Sequence, residues 1–448
     1  MRAATIAESG TADNVHAVSK RYRRYMIAVL LVIYILNFLD RQIVSILAEH
    51  IKNDLQLADW QLGVMTGLAF ALFYTVVGFP VARLAERGDR PLIIATAVGI
   101  WSFFTAASGA AQNFWHLVLA RVGVGVGEAG CLPPAVSLIG DITPKDQRAS
   151  AMAIYSVGAP VGGLLGMIIG GIVADAWGWR AAFVIVGLPG LSMGIIAAAT
   201  LHEPRRRMRA EMLQQKERAQ PFREALQEMR RSRTLWRLIV GGSLKVFVAF
   251  GMTAFLASFF LRNHASELAA TAARLGLEST GFLGLALGLT AGGSSVIGTL
   301  LGGALVDRFV KRDIRFYVRI PAFGMLLAPG FYIAAFLQSS LMASLALLVI
   351  PSVLMHLWSG PIYATIQGIM RPEVRATATA TLLFCTNLVG LGCGPLAVGL
   401  VSDLIANGLH LGAAEGVKWS LATFTLLGIP GAIIYWSSAK HIRAELVH

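Results

Sequence analysis

Long apolar runs separated by short polar segments dominate the chain. Twelve stretches of roughly 18 or more mostly apolar residues, the length a hydrocarbon core of about 30 Å asks of a helix, occur at approximately 25–48, 61–85, 91–112, 114–140, 149–175, 180–201, 238–262, 280–306, 317–338, 342–370, 376–404 and 418–438. They are continuous rather than alternating and carry Gly and Ala throughout, which excludes the short dyad-repeat strands of a β-barrel. The pattern predicts an all-α membrane protein. Residues 1–22 are polar and lack the apolar region of a cleaved leader, so helix 1 is expected to remain as an anchor.

Composition agrees: of 448 residues 56% are hydrophobic and 14% charged, more apolar material than one soluble core would bury. The net charge of +13 raises the question of a nucleic-acid partner, and its placement answers it. Lys20, Arg21, Arg23, Arg24, Arg87, Arg90, Lys145, Arg148, Arg308, Lys311, Arg312, Arg315, Arg371, Arg375, Lys440 and Arg443 fall on one set of alternate loops. The opposite loops hold only Lys52, Arg180, Arg262, Arg274 and Lys418. By the positive-inside rule both termini are cytoplasmic, and no nucleic acid is implied. The connection 202–237 carries eleven Lys or Arg against five Glu, and is expected to be a cytoplasmic linker whose central part forms an amphipathic helix.

The chain also repeats itself. Ala82-Arg83-Leu84-Ala85-Glu86-Arg87-Gly88-Asp89-Arg90 after helix 2 and Gly303-Ala304-Leu305-Val306-Asp307-Arg308-Phe309-Val310-Lys311 after helix 8 share an acid-Arg-x-x-base pattern. Arg148-Ala149-Ser150-Ala151 answers Arg375-Ala376-Thr377-Ala378, and Gly171-Ile172-Val173-Ala174-Asp175 answers Gly399-Leu400-Val401-Ser402-Asp403. Offsets of 221 to 228 span six helices, so two parallel six-helix halves are expected. The predicted division is a tail 1–23, bundles 24–203 and 237–440, a basic linker 204–236 and a tail 441–448.

At this point the chain resembles the major facilitator superfamily, whose signature is the acid-Arg-x-x-base loop; Gly158-Ala159-Pro160-Val161-Gly162-Gly163 resembles its helix 5 motif, where small residues permit close packing. The resemblance implies that helices 1, 4, 7 and 10 line a cavity. Ionisable residues inside the membrane are costly and mark functional sites, and here they are Asp40, Arg41, Arg121, Glu128, Lys245 and His356, all on those four helices. A rise of about 1.5 Å per residue puts Asp40 and Arg121 in the outer half of the membrane and Glu128 two turns further in on the face of Arg121. Asp40 and Arg121 are either a structural ion pair that makes two buried charges tolerable or part of the substrate and coupling site. Glu128, among Gly123, Gly125, Gly127 and Gly130, is expected to carry a proton under the influence of Arg121. Lys245 is expected to snorkel to the headgroups, and His356 is either a substrate contact or a packed neutral histidine. Gly125-x-Gly127-x-x-Gly130 matches a dinucleotide fingerprint only formally, since no strand precedes it. Phe70, Phe73, Tyr74, Tyr155, Trp358 and Tyr363 are either cavity wall or ordinary packing.

The first 180 residues resemble the Spinster branch specifically, through Asn37-Phe38-Leu39-Asp40-Arg41, Trp101, Asn113-Phe114-Trp115 and Arg121 followed by Gly125-Val126-Gly127-Glu128-Ala129. That resemblance implies an alternating-access transporter of lysophospholipid-like or sphingosine-phosphate-like amphiphiles, coupled to protons. Arg121 would hold the phosphate, Asp40 or Glu128 would take the proton, and His356 joins them as a candidate substrate contact. The loops Glu86, Arg87, Arg90 and Asp307, Arg308, Lys311 would latch one conformation. A transporter of small organic anions or drugs, and an uncoupled scramblase or sensor, are the alternatives. No nucleophile-base pair, metal cluster or phosphate loop suggests an enzyme, and Cys131, Cys385 and Cys393 form no ligand spacing, so neither metal nor cofactor is expected. Expected partners are membrane lipids, an amphipathic substrate and protons, with the chain a monomer. Short termini and the lack of an Asn-x-Ser/Thr sequon fit a bacterial inner membrane.

Overall fold

The computed structural model describes residues 19–144, 147–204 and 222–445, and the side chains of Glu86 and Arg87 are outside that description. The N-terminal tail, Lys145 and the central part of the linker likewise lie outside the described residues. Eleven long apolar helical stretches are present. We label them α1 (Lys20–Leu55), α2 (Asp59–Ala85), α3 (Arg90–Ser108), α4 (Phe114–Ile142), α7 (Arg233–Asn263), α8 (Ser279–Val310), α9 (Phe316–Phe336), α10 (Leu341–Ile369), α11 (Thr377–Gly408) and α12 (Gly412–Ser438). The remaining stretch, Ser150–Thr200, has 51 residues, about 76 Å of helix at 1.5 Å per residue, far more than a core of about 30 Å requires. It breaks at Gly178, whose φ of 81° no β-carbon residue adopts readily, into α5 (150–177) and α6 (179–200). Twelve crossings result.

An even number of crossings brings the start of α1 and the end of α12 to one side of the membrane; on that side the Tyr22 hydroxyl, at the start of α1, donates to the Thr200 carbonyl at the end of α6. That side carries the basic loops and is called inner. Lipid-facing positions are large and apolar: Trp115, Leu119, Leu188, Ile195, Leu300 and Ile433 are all exposed, as expected of a bundle solvated by acyl chains. α1 runs past its apolar segment at both ends because Ser19 caps its first turn and Gln56, at φ 53°, stops it.

Two contacts position the site. Gly158, Gly162, Gly166 and Gly170 recur every fourth residue on the face of α5 that meets α1. A Cβ on Gly166 would lie 2.6 Å from the Leu39 carbonyl oxygen, so the two backbones touch and fix the direction of Asp40 and Arg41. On α4, a Cβ on Gly125 would meet the Phe70 carbonyl oxygen at 2.6 Å and one on Gly127 the Trp101 nitrogen at 2.5 Å. The glycine run therefore seats α4 against α2 and α3. Between the halves the principal contacts are α5 with α8, α2 with α11 and α1 with α7.

Candidate functional site

The four ionisable residues predicted on helices 1 and 4 form one buried cluster. The Asp40 carboxylate accepts from the Thr105 hydroxyl at 2.8 Å and lies 3.4 Å from Arg121 Nη1. Arg41 Nε donates to Glu128 Oε2 at 2.6 Å. Arg41 lies over the rings of Phe70 at 4.8 Å and Tyr74 at 4.7 Å, and Arg121 over Phe70 at 5.6 Å, so one phenyl ring serves both guanidinium groups. Glu128 is 1% exposed; its Oε1 and the Nε of Arg121 have no hydrogen-bond partner. Glu128 ends the first segment of α4, Phe114–Glu128, halfway through the 29-residue stretch. The helix breaks there because Pro133 and Pro134 supply no N–H to the carbonyls of Ala129 and Gly130.

Asp40 and Arg121 are brought together. Glu128 makes its ion pair with Arg41, while Arg121 is directed at Asp40 and lies near enough to Glu128 to influence it. The guanidinium expected to hold a phosphate is thus already neutralised and 2% exposed. Two cations and two anions balance, which is what makes the cluster tolerable in hydrocarbon.

The second half differs. His356 ends the first segment of α10, Leu341–His356, and its Nδ1 lies 2.7 Å from the Ser352 carbonyl oxygen, which makes Nδ1 a donor. Lys245 does not snorkel. It is 7% exposed, with its ammonium 5.1 Å from the centre of the Trp358 ring, because it stands eight residues, about 12 Å, deeper than Arg237, which already bonds the Ser437 carbonyl near the inner end. Among the other aromatics, Phe70, Tyr155 and Trp358 are buried, whereas Phe73 is exposed.

The outer end carries a network that hydropathy assigned to loops. Arg262, in the last turn of α7, bonds Glu49 of α1 through Nε at 3.0 Å and Nη2 at 2.8 Å, and Asp59 of α2 through Nη1 and Nη2, each at 2.8 Å. Asp59 also binds Lys52 at 2.5 Å and accepts from the Ser402 hydroxyl at 2.6 Å. The repeated Asp residues complete it: Asp403 accepts from the backbone N–H of Trp60 at 2.8 Å, and Asp175 from that of Gly281 at 2.6 Å. Each carboxylate lies near the outer end of a helix of one half and accepts from a first-turn N–H of a helix of the other. Among the described residues, the hydrogen bonds and ion pairs that join the halves all gather at this end. The signal for Asp175 and Asp403 lay in the internal repeat; for Arg262 there was none beyond its being one of few outer cations.

A profile of the Major Facilitator Superfamily matches residues 30–395. The chain belongs to that superfamily. It is 30% identical over 98% of its length, and 99% of the other chain, to a protein of Mycolicibacterium smegmatis named MFS-type efflux pump. Protein spinster homolog 1 of Xenopus tropicalis is 26% identical over 96% of this chain and 84% of its own. Among solved structures, a bacterial homolog of the human lysosomal transporter Spinster, inward-facing and unoccupied, superimposes with a TM-score of 0.84 at 31% identity, covering 96% of this chain and all of that one. The occupied form of the same homolog gives 0.81. The protein is a Spinster-like transporter of the superfamily, a fold that works by alternating access.

Within that mechanism the outer network is positioned to act as a gate between the halves. Of the expected latch residues, the side chains of Glu86 and Arg87 lie outside the described ones, and among the described residues Arg90, Asp307, Arg308 and Lys311 form no ion pair between the halves. Arg90 is wholly buried inside the first half, with Nη1 bonded to Asp141 at 2.7 Å and Ser137 at 2.9 Å and the rest of its guanidinium on Glu203. It ties α3 to the ends of α4 and α6. Asp307 and Arg308 are exposed at the inner end of α8, with Lys311 just beyond it. The amphipathic stretch expected in the linker is described only at its end, Phe222–Arg231, where Glu228 binds Arg371 at 2.5 Å.

Proposed function

We propose that this protein is a proton-coupled transporter of an amphipathic, lipid-like substrate of the lysophospholipid or sphingosine-phosphate type, acting in a bacterial inner membrane with its basic end cytoplasmic. The observation that carries the coupling is the asymmetry of Glu128: Oε2 is held by Arg41, and Oε1 is a buried acceptor with nothing bound to it. That unmatched carboxylate oxygen is the one free to take a proton without displacing a hydrogen bond, and protonation leaves Arg41 without its counter-charge. Arg41 then remains stacked on Phe70 and Tyr74, and its donors become free to meet other acceptors. The pair Asp40–Arg121 keeps the rest of the cluster neutral through the cycle. The two bundles, 24–203 and 237–440, are the units that rock about this centre, and the protein works as a monomer.

The resemblance to the Spinster branch, which implies amphiphiles of this kind, is what supports the substrate class. The efflux-pump relative favours a second reading, a drug-like or small organic substrate in the same cavity. Proteoliposomes with a pH gradient and a fluorescent lysophospholipid test the first. Replacing both members of the pair, Arg41→Gln with Glu128→Gln, keeps the charge balanced and is expected to cut gradient-driven accumulation at least ten-fold while equilibrium exchange persists. Unchanged gradient-driven accumulation in the double variant sinks the proton assignment; wild-type protein that equilibrates lipid but never accumulates it is a scramblase.

A further inference from the structure

The charge asymmetry between the halves points to a second binding element. In the first half the buried charges cancel. In the second, Lys245 has neither a hydrogen bond nor an ion pair among the described residues; its one close polar-type contact is the face of Trp358. That ring is held in place from behind, since Trp358 Nε1 donates to the Tyr435 hydroxyl, which in turn donates to the Leu238 carbonyl at 3.3 Å. No carboxylate is near enough in sequence to help: in α7, α9 and α10 there is no Asp or Glu, and Asp307, Asp403 and Glu415 sit close to the ends of α8, α11 and α12. A desolvated ammonium at this depth with no counterion is a standing cost that a ligand of opposite charge removes.

Position strengthens the point. His356 and Glu128 are 228 residues apart, the separation of Asp175 from Asp403, and each is the last residue before the break in its helix. The second half therefore ends the first segment of its helix on a histidine where the first half ends on a carboxylate, one residue off the 227 repeat of these two helices, and Lys245 is within electrostatic reach of that histidine. With Nδ1 committed to the Ser352 carbonyl, the Nε2 side of the ring is left for a ligand. Tyr363 continues the aromatic wall beside Trp358.

We propose that Lys245, with His356 beside it and Trp358 as its wall, is the anion-recognition subsite of the transport cavity, taking the phosphate or carboxylate of the substrate. The proposal deepens the functional reading above and rests on it for the tail that the anion carries. It assigns proton and headgroup to opposite halves, so that binding of the head to α7 and α10 and loading of Glu128 on α4 are separate events at similar depth.

Binding to the full-length protein in nanodiscs tests it, with three probes: lysophosphatidic acid, a monoacylglycerol of the same acyl chain, and inorganic phosphate. Wild type is expected to prefer the phosphorylated lipid at least ten-fold. Lys245→Met should erase that preference, leave the monoacylglycerol within two-fold, and melt no lower than wild type, because it removes an uncompensated charge; Lys245→Arg should keep affinity within about three-fold. A Lys245→Met protein that retains the preference overturns the subsite, as does equal binding of both lipids by wild type, which would leave the lipid reading standing. If wild type binds phosphate through Lys245 but neither lipid, the subsite stands and the lipid reading falls. If no probe binds, both fall.

Discussion

Removing Arg262 should open the outer gate. The guanidinium joins α7 to Glu49 of α1 and Asp59 of α2, and its side chain is 7% exposed against 12% and 1% for the two acids. Deleting one partner of a buried pair costs about 3–5 kcal/mol, and the lower figure applies because Lys52 continues to neutralise Asp59. The cost falls on the closed gate alone, since in an outward-open state the acids are hydrated. A shift of about 3 kcal/mol is roughly 150-fold, which would carry a population 99% closed to nearly equal shares. Arg262→Met can be followed by double electron–electron resonance between nitroxides at Ala110 and Leu409, exposed at the outer ends of the two halves. Cys131, Cys385 and Cys393 are free and must first be replaced. A second, longer distance is expected to hold about half the population. A distribution indistinguishable from that of the unsubstituted protein would refute the assignment of this network as the gate.

Two further outcomes follow from the packing and the protonation chemistry. Gly166→Leu forces a side chain against the Leu39 backbone and should cost about 1–3 kcal/mol or more, lowering the melting temperature by several degrees, whereas Gly163→Leu, whose Cβ would meet nothing closer than Gln42 at 3.7 Å, should change it little. His264, between α7 and the helix Ala265–Arg274, is packed on Phe259, and burial holds its imidazole below the usual 6.5, with Glu267 opposing. A depressed folded pKa means stability that is complete above 6.5 and is lost as pH falls toward the folded value, so melting temperature should decline on acidification from about pH 7 to 5 and His264→Asn should flatten that decline.

The individual residues show why some of the site could be read in advance and some could not. Asp40, Arg121 and Glu128 stood out because a charge inside a long apolar run needs a reason, whatever the fold. Arg41 lay in the same run, yet its pairing with Glu128 depends on how α1 is rotated against α4, and the glycine ladder on α5 sets that rotation through backbone contact. Arg262 and Glu49 sit at the ends of apolar runs, where hydropathy registers only a boundary. Lys245 shows the same limit from the other side. Distance along a helix gives depth, but whether a lysine reaches the headgroups depends on what stands in its way, here Trp358 held by Tyr435.

By itself the sequence determined the solvent, the number of crossings, the two-fold repeat and the helices on which charge is buried, because these depend on local composition and on periods along one dimension. Only the tertiary structure decided which charge meets which, that the acid repeats cap helices across the halves, and that the described ion pairs between the halves lie at the outer end. Those are properties of side-chain direction at helix crossings, where a rotation of one helix exchanges every partner while leaving the pattern of apolar and polar positions unchanged.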